Sequence, residues 1–160
     1  KLEKAIFACG CFWGAQHQFE RAKGVIRSEV GYIGGDKENP TYQEVKAHTT
    51  GHAEATLVEF DAEKTTYTDL CKLFFEIHDP AQTDGQGPDI GPQYRSEIFY
   101  LNEAQKQQAE AVIALLREKG YEVNTRLTPA TVFWPAEDYH QHYYDKTGGE
   151  PYCHIRVRKF

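Results

Sequence analysis

Ala5-Ile6-Phe7-Ala8-Cys9-Gly10-Cys11-Phe12-Trp13-Gly14 passes from a β-rich run into a helix-compatible one, Ala15-Gln16-His17-Gln18-Phe19-Glu20-Arg21. A cysteine at a strand-to-helix turn gains from the unsatisfied N–H groups and dipole of the helix start, which favour thiolate over thiol. Phe12 and Trp13 follow directly, so one turn can carry a nucleophile and an apolar wall. The plainer reading is a buried thiol serving as a small hydrophobe in a Gly-bounded turn. Alternation along an extended strand sets Cys9 and Cys11 facing opposite ways, one buried and the other exposed.

Outward from this turn, the first helix is expected to run to Lys23 and stop at Gly24. Residues 25–33 read as a strand and residues 52–60 as another, with Glu54, Thr56, Val58 and Phe60 sharing one face. A carboxylate heading an otherwise apolar face is out of place, unless it lies at a solvated strand end. Between these strands, Asn39-Pro40-Thr41 suggests a turn and a short helix capped by Asn39 or Thr41. Tyr67, Leu70, Cys71, Phe74 and Phe75 form a helical apolar stripe with Thr66 or Thr68 as cap. The stripe makes Cys71 a core residue. From Pro80 to Gln93 no periodicity appears, and the Gly, Pro and Asp content suggests an ordered, specially shaped loop. Residues 93–101 read as a strand. Asn102 caps the longest helix, 103–119, which ends at Gly120. Residues 121–127 and 130–134 look strand-like with Pro129 between them. Residues 135–144 look like a short aromatic, His-rich helix. The order is β-α-β-β-α-β-α-β. That predicts an α+β fold: a mixed sheet with packed helices, a ferredoxin-like β-α-β-β-α-β core, long loops and a coiled C-terminal tail.

The 160 residues fit a single domain, 1–160, with 40% apolar and 26% charged residues. The chain begins at Lys1 without a Met, which leaves open a processed protein or a domain excised from a longer or fused one. No apolar run approaches the ~18 residues of a membrane span, and no signal pattern is visible. The default expectation is therefore a cytoplasmic monomer with no membrane partner. The net charge of -6 argues against a nucleic-acid partner, since the basic residues cluster only at Arg156-Val157-Arg158-Lys159. The four cysteines, Cys9, Cys11, Cys71 and Cys153, show no zinc spacing. His140 and His142 would point apart on a helix, so no metal site and no cofactor are expected. Phosphate-loop, dinucleotide, nucleophile-elbow and calcium-loop motifs are absent. The productive combination is a Cys at a helix start, a Glu on an apolar face, a Tyr-bearing Gly/Pro loop and a second Cys on the tail.

Gly10-Cys11-Phe12-Trp13-Gly14 resembles the signature of the A-type peptide methionine sulfoxide reductases. Asn39-Pro40-Thr41-Tyr42, Gly51-His52-Ala53-Glu54, His78-Asp79-Pro80, Asp89-Ile90-Gly91-Pro92-Gln93-Tyr94-Arg95-Ser96 and Tyr139-His140-Gln141 resemble further blocks of that family in the same order. The chain departs from the family pattern at Gln43, Lys46 and Ala81, none of them an expected reacting group.

The resemblance implies reduction of the S epimer of free or peptide-bound methionine sulfoxide, as in the repair of oxidised proteins. Cys11 would attack the sulfoxide sulfur. Glu54, if burial keeps it neutral, would protonate the oxygen. Tyr42 and Tyr94 would hydrogen-bond that oxygen, Asp89 would help organise the site, and Phe12 and Trp13 would enclose the S-methyl group. A sulfenic acid would remain on Cys11. The resemblance further implies a Cys11–Cys153 disulfide, with the tail free to swing after Gly148-Gly149, and thioredoxin as its reductant. Cys9 is the nearest rival as resolving thiol, but a disulfide across one residue is strained. Two other functions compete: a thiol peroxidase or disulfide exchanger using Cys11, and a non-catalytic module that binds oxidised methionine.

Overall fold

The computed structural model describes residues 1–47, 50–83, 85–86, 89–147, 157, 159 and 160. Among the described residues, eight strands and five α-helices follow in order: β1 (Leu2–Cys9), α1 (Phe12–Glu20), β2 (Val25–Ile33), α2 (Tyr42–Lys46), β3 (Ala53–Asp61), α3 (Tyr67–Glu76), β4 (Gly85–Gln86), β5 (Asp89–Ile90), β6 (Ser96–Tyr100), α4 (Glu103–Glu118), β7 (Arg126–Pro129), β8 (Trp134–Pro135) and α5 (Tyr143–Thr147). Six strands form one sheet in the order β7-β6-β1-β3-β2-β8, and β4 and β5 form a separate ribbon.

The central four strands, β6-β1-β3-β2, pair antiparallel throughout. β1 and β2 flank β3 and are therefore parallel to each other, with α1 crossing between them. β3 and β6 flank β1 in the same way, with α3 as their crossover. This is the ferredoxin-like core expected from the element order. β7 adds parallel to β6 at one edge and β8 adds antiparallel to β2 at the other, which makes the sheet mixed.

The period-2 pattern of the strands divides the apolar residues between the two faces. Ala5, Phe7, Cys9, Val58, Phe60 and Ile98 meet Ala15 and Phe19 of α1, the apolar stripe of α3, and Val112, Ile113 and Leu116 of α4. Phe7 lies at the centre of an aromatic group, with ring centroids 5.1 Å from Phe19 and 5.2 Å from Phe74. On the other face Ile6, Ala8, Ile33, Ala53, Ala55 and Phe99 form a smaller cluster, with Ala130 and Phe133 packed on it. The helix starts follow the side chains that cap them. Thr66 accepts from Asp69 N–H and Asn102 from Gln105 N–H. Thr41 and Glu44 form a reciprocal capping box on α2.

Several expectations need correction. α1 ends at Glu20 rather than Lys23. β6 begins at Ser96, because residues 92–94 form a 3-10 turn. Residues 121–125 are irregular, and Pro129 lies at the end of β7 instead of dividing two strands. An edge strand tolerates it, since no ladder donor is needed on its open side. The second expected strand shrinks to Trp134–Pro135, the pair of residues that meets Gly31 and Tyr32 of β2. Residues 135–144 are not one helix. A 3-10 turn, Asp138–His140, is separated from α5 by His142 at φ 52. Gln141 explains the break. Its side-chain amide accepts from Val30 N–H at 2.9 Å and donates to Val30 O at 2.9 Å, acting as a one-residue extension of the sheet edge.

Candidate active site

The strand-to-helix turn is built by Gly10, whose φ of 97 lies in the left-handed region that favours glycine. β1 stops at Cys9, and Cys11 becomes the residue that caps α1, with its carbonyl accepting from Ala15 N–H at 3.3 Å. Strand alternation therefore does not reach Cys11. Both thiols are buried, Cys9 at 1% exposure and Cys11 at 6%, so the expectation of one exposed cysteine is corrected. Cys9 belongs to the main core, as does Cys71. Burial pushes the Cys71 thiol up to about 12, which keeps it protonated and unreactive.

Glu54 sits beside this turn. It is 1% exposed, on the face it shares with Thr56, Val58 and Phe60, so the solvated strand-end reading does not hold. Its Oε1 accepts the backbone N–H of Phe12 at 3.2 Å, one of the unsatisfied donors at the start of α1. Among the described residues its Oε2 is buried without a hydrogen-bond partner. Burial raises the carboxyl from an ordinary 4.5 to about 8; the Phe12 N–H opposes that rise and the charge of Asp89 adds to it. The group is consequently a neutral acid near pH 7, next to the helix start that favours a thiolate.

Two phenols converge on the same place. Tyr42 opens α2, and Tyr94 ends the 3-10 turn before β6. Tyr42 is hydrogen-bonded to Tyr94, and desolvation, reinforced by Glu54 and Cys11, raises it to about 12. Tyr94 is raised too, by burial first and then by Glu54, Tyr42, Cys11 and Asp89. Both remain neutral hydrogen-bond donors. Asp89 stands on the β4–β5 ribbon. Gln86 braces that ribbon, accepting from Asp79 N–H at 2.8 Å and donating to Asp79 O at 2.5 Å. Phe12 is buried against Tyr32 and Tyr42, while Trp13 is partly exposed. Cys11, Phe12, Trp13, Tyr42, Glu54, Asp89 and Tyr94 thus surround one locality. Cys153 lies outside the described residues.

Three partners of this site carried no assigned role in the sequence. His140 is fully buried, and its Nδ1 accepts the Trp13 indole N–H at 2.9 Å. Burial lowers its pKa, in keeping with a neutral ring whose Nδ1 is an acceptor. Tyr143 stacks on Trp13 with centroids 3.9 Å apart. Glu137 receives two donors: Tyr32 OH at 3.0 Å on Oε1 and Tyr42 N–H at 3.1 Å on Oε2. His140 was signalled by the Tyr139-His140-Gln141 block, and Glu137 and Tyr143 only by the density of aromatic and ionisable residues at 137–144.

Glu137 ties the segment after β8 to both β2 and α2, and so sets where the Tyr42 phenol points. Glu137→Ala leaves the Tyr32 hydroxyl and the Tyr42 N–H, both in part-buried hydrogen bonds, unpaired. The substitution is expected to slow the chemistry at Cys11 about ten- to a hundredfold in single-turnover assays, through misplacement of Tyr42. Glu137→Gln should recover most of the loss, because an amide can accept from Tyr42 N–H and donate to the Tyr32 oxygen.

A family model described as peptide methionine sulfoxide reductase matches residues 3–160. The chain belongs to that family. It is 44% identical over 156 residues to the peptide methionine sulfoxide reductase MsrA of Acinetobacter baumannii strain AYE, covering 98% of this chain and 90% of the relative. The reduced form of Mxr1 from Saccharomyces cerevisiae superposes with a TM-score of 0.92 at 32% identity, covering 98% of this chain and 92% of the yeast one. Mxr1 in complex with Trx2 superposes at 0.66 with 21% identity, covering 100% of this chain and 91% of that one, a likeness of fold. For a peptide methionine sulfoxide reductase the geometry is apt. An acid, two neutral phenols and an aromatic wall are gathered around a cysteine at a helix start.

Proposed function

We propose that this member of the family performs thiol-dependent reduction of methionine-S-sulfoxide, with Cys11 as the catalytic cysteine and Glu54 as the acid. The observation that carries the assignment is the state of Glu54. It is buried and raised to about 8, with one oxygen held by Phe12 N–H and the other unclaimed among the described residues. A sulfoxide oxygen leaves sulfur only when protonated, and a neutral carboxyl with an open oxygen is the group for that task. The Cys11 thiolate attacks the sulfoxide sulfur while Glu54 delivers a proton to the oxygen. Tyr42 and Tyr94 donate to the same oxygen as charge develops on it. Phe12 and Trp13 take the S-methyl group. Asp89 orders the polar side of the site. The net exchange moves one oxygen: methionine departs, and Cys11 becomes a sulfenic acid.

Turnover then needs a second thiol. Cys153 attacks the sulfenic sulfur, water leaves, and a Cys11–Cys153 disulfide passes to a thioredoxin-class dithiol for reduction. Family membership and the yeast relative's partner, Trx2, support that reductant. The substrate is methionine sulfoxide, free or in proteins.

The deciding experiment offers each pure epimer with dithiothreitol as reductant. The S epimer should be consumed and the R epimer left untouched. Equal use of both, or peroxide consumption without sulfoxide reduction, would overturn the proposal. The second result would favour a thiol peroxidase.

A further inference from the structure

The aromatic lining of the site continues past its walls to the surface. Phe12 is buried, Trp13 and Tyr42 are half-buried, and Tyr139 is 58% exposed, the most open aromatic side chain among the described residues. Their rings meet at one imidazole. The His140 centroid is 5.3 Å from Phe12, 5.6 Å from Trp13, 4.3 Å from Tyr42 and 4.0 Å from Tyr139. Tyr42 is close enough to Cys11 and Glu54 for their charges to raise its pKa, and Tyr139 acts on it in the same sense. Tyr139 is thus the outermost member of a ring series that begins beside the nucleophile.

The exposed ring stands on a braced turn. Tyr139 is the middle residue of the 3-10 turn Asp138–His140. His140 N–H donates to Glu137 O at 2.9 Å, and Gln141 N–H to Asp138 O at 3.1 Å. Glu137 on one side of the turn holds Tyr32 and Tyr42, and Gln141 on the other holds Val30. A single exposed aromatic is ordinary in a folded protein. One that prolongs the lining of a pocket from a fixed backbone is suited to contact, because little further freedom is lost when it is covered.

We infer that Tyr139 is a specificity-determining residue for peptide-bound substrate, its ring receiving an apolar or aromatic side chain that flanks the methionine sulfoxide. The inference rests on the site reducing methionine sulfoxide with the S-methyl group at Phe12 and Trp13. The neighbouring residues of a peptide then leave the pocket past the open end of the ring series. Successive α-carbons are about 3.8 Å apart. The centroid steps from Tyr42 to His140 and from His140 to Tyr139 are of that size, 4.3 and 4.0 Å. A flanking side chain therefore meets the Tyr139 ring while the sulfoxide stays at Cys11. The free amino acid has no such side chain and forgoes the contact. Because the contact is remote from bond making, it holds ground state and transition state alike, and its loss falls on KM.

The test uses two blocked pentapeptides with a central methionine-S-sulfoxide, flanked on both sides by glycine in one and by phenylalanine in the other, with dithiothreitol as reductant. The parent should favour the phenylalanine-flanked peptide in kcat/KM. Tyr139→Ala should lower that preference about three- to tenfold, chiefly through KM, the weight of one aromatic contact. Tyr139→Phe keeps the ring and should retain most of the preference. No preference in the parent, or one unchanged in Tyr139→Ala, overturns the inference. So does a loss as large in Tyr139→Phe as in Tyr139→Ala, or a fall in kcat shared by both peptides, which would make Tyr139 a cover over His140. Free methionine-S-sulfoxide separates the two layers. If the parent reduces neither it nor the peptides, the reductase reading falls and takes the specificity role with it. If the parent reduces all three and the preference does not respond to Tyr139→Ala, only the specificity role falls.

Discussion

Cys11→Ser is expected to abolish reduction of methionine sulfoxide, by on the order of 10⁴-fold or more, with dithiothreitol as well as thioredoxin. A hydroxyl at this position has neither the acidity nor the sulfur needed to accept the oxygen as a sulfenic acid. The fold should survive, because the replacement is nearly isosteric and the Cys11 side chain makes no capping bond to α1. Circular dichroism identical to the parent's, together with no methionine formed from a stoichiometric amount of the S epimer, is the expected pair of results. Methionine formation at a rate within tenfold of the parent's would move the nucleophile to Cys9. Burial and core packing argue against that.

Glu54→Gln should slow the reductive step by about 10²–10⁴-fold, the usual weight of a positioned acid. The amide can still accept the Phe12 N–H, so structure is retained while the transferable proton is lost. The parent's reductive rate should fall as pH rises through about 8, where Glu54 becomes a carboxylate. The variant should lack that limb. The same shift has a consequence for stability. A carboxyl raised from 4.5 to about 8 on folding binds a proton more tightly in the native state. Its contribution is fully present below about 4.5 and is lost as pH rises through about 8. Denaturant midpoints should therefore decline across that interval in the parent and decline less in Glu54→Gln. A variant that reduces sulfoxide at the parent's rate would assign the proton to another donor.

Much of this architecture follows from local chemistry. β2, β3, α3 and α4 announce themselves through apolar periodicity, and Thr66 and Asn102 mark two helix starts because their side chains accept the first amides. The region from 121 to 144 is less legible because its form is set by distant partners. β7 exists where β6 offers an edge, and β8 lasts only as long as its pairing with Gly31 and Tyr32. Gln141 takes its conformation from the backbone of Val30. The site shows the same division. Residue types and their order point to Cys11, Glu54 and the phenols, but the burial of Cys11 depends on the left-handed turn at Gly10. The Phe12–Glu54 and Trp13–His140 contacts join residues 42 and 127 positions apart, beyond any local pattern.

The bond from Phe12 N–H to Glu54 Oε1 bears on anyone who would move this chemistry to another scaffold. Transplanting the five-residue Gly10–Gly14 signature would carry the thiol without its acid. The smallest portable unit is the β1–turn–α1 hairpin together with the first residues of β3, kept in register. A graft that preserved the cysteine but shifted β3 by one residue would turn Glu54 to the opposite sheet face.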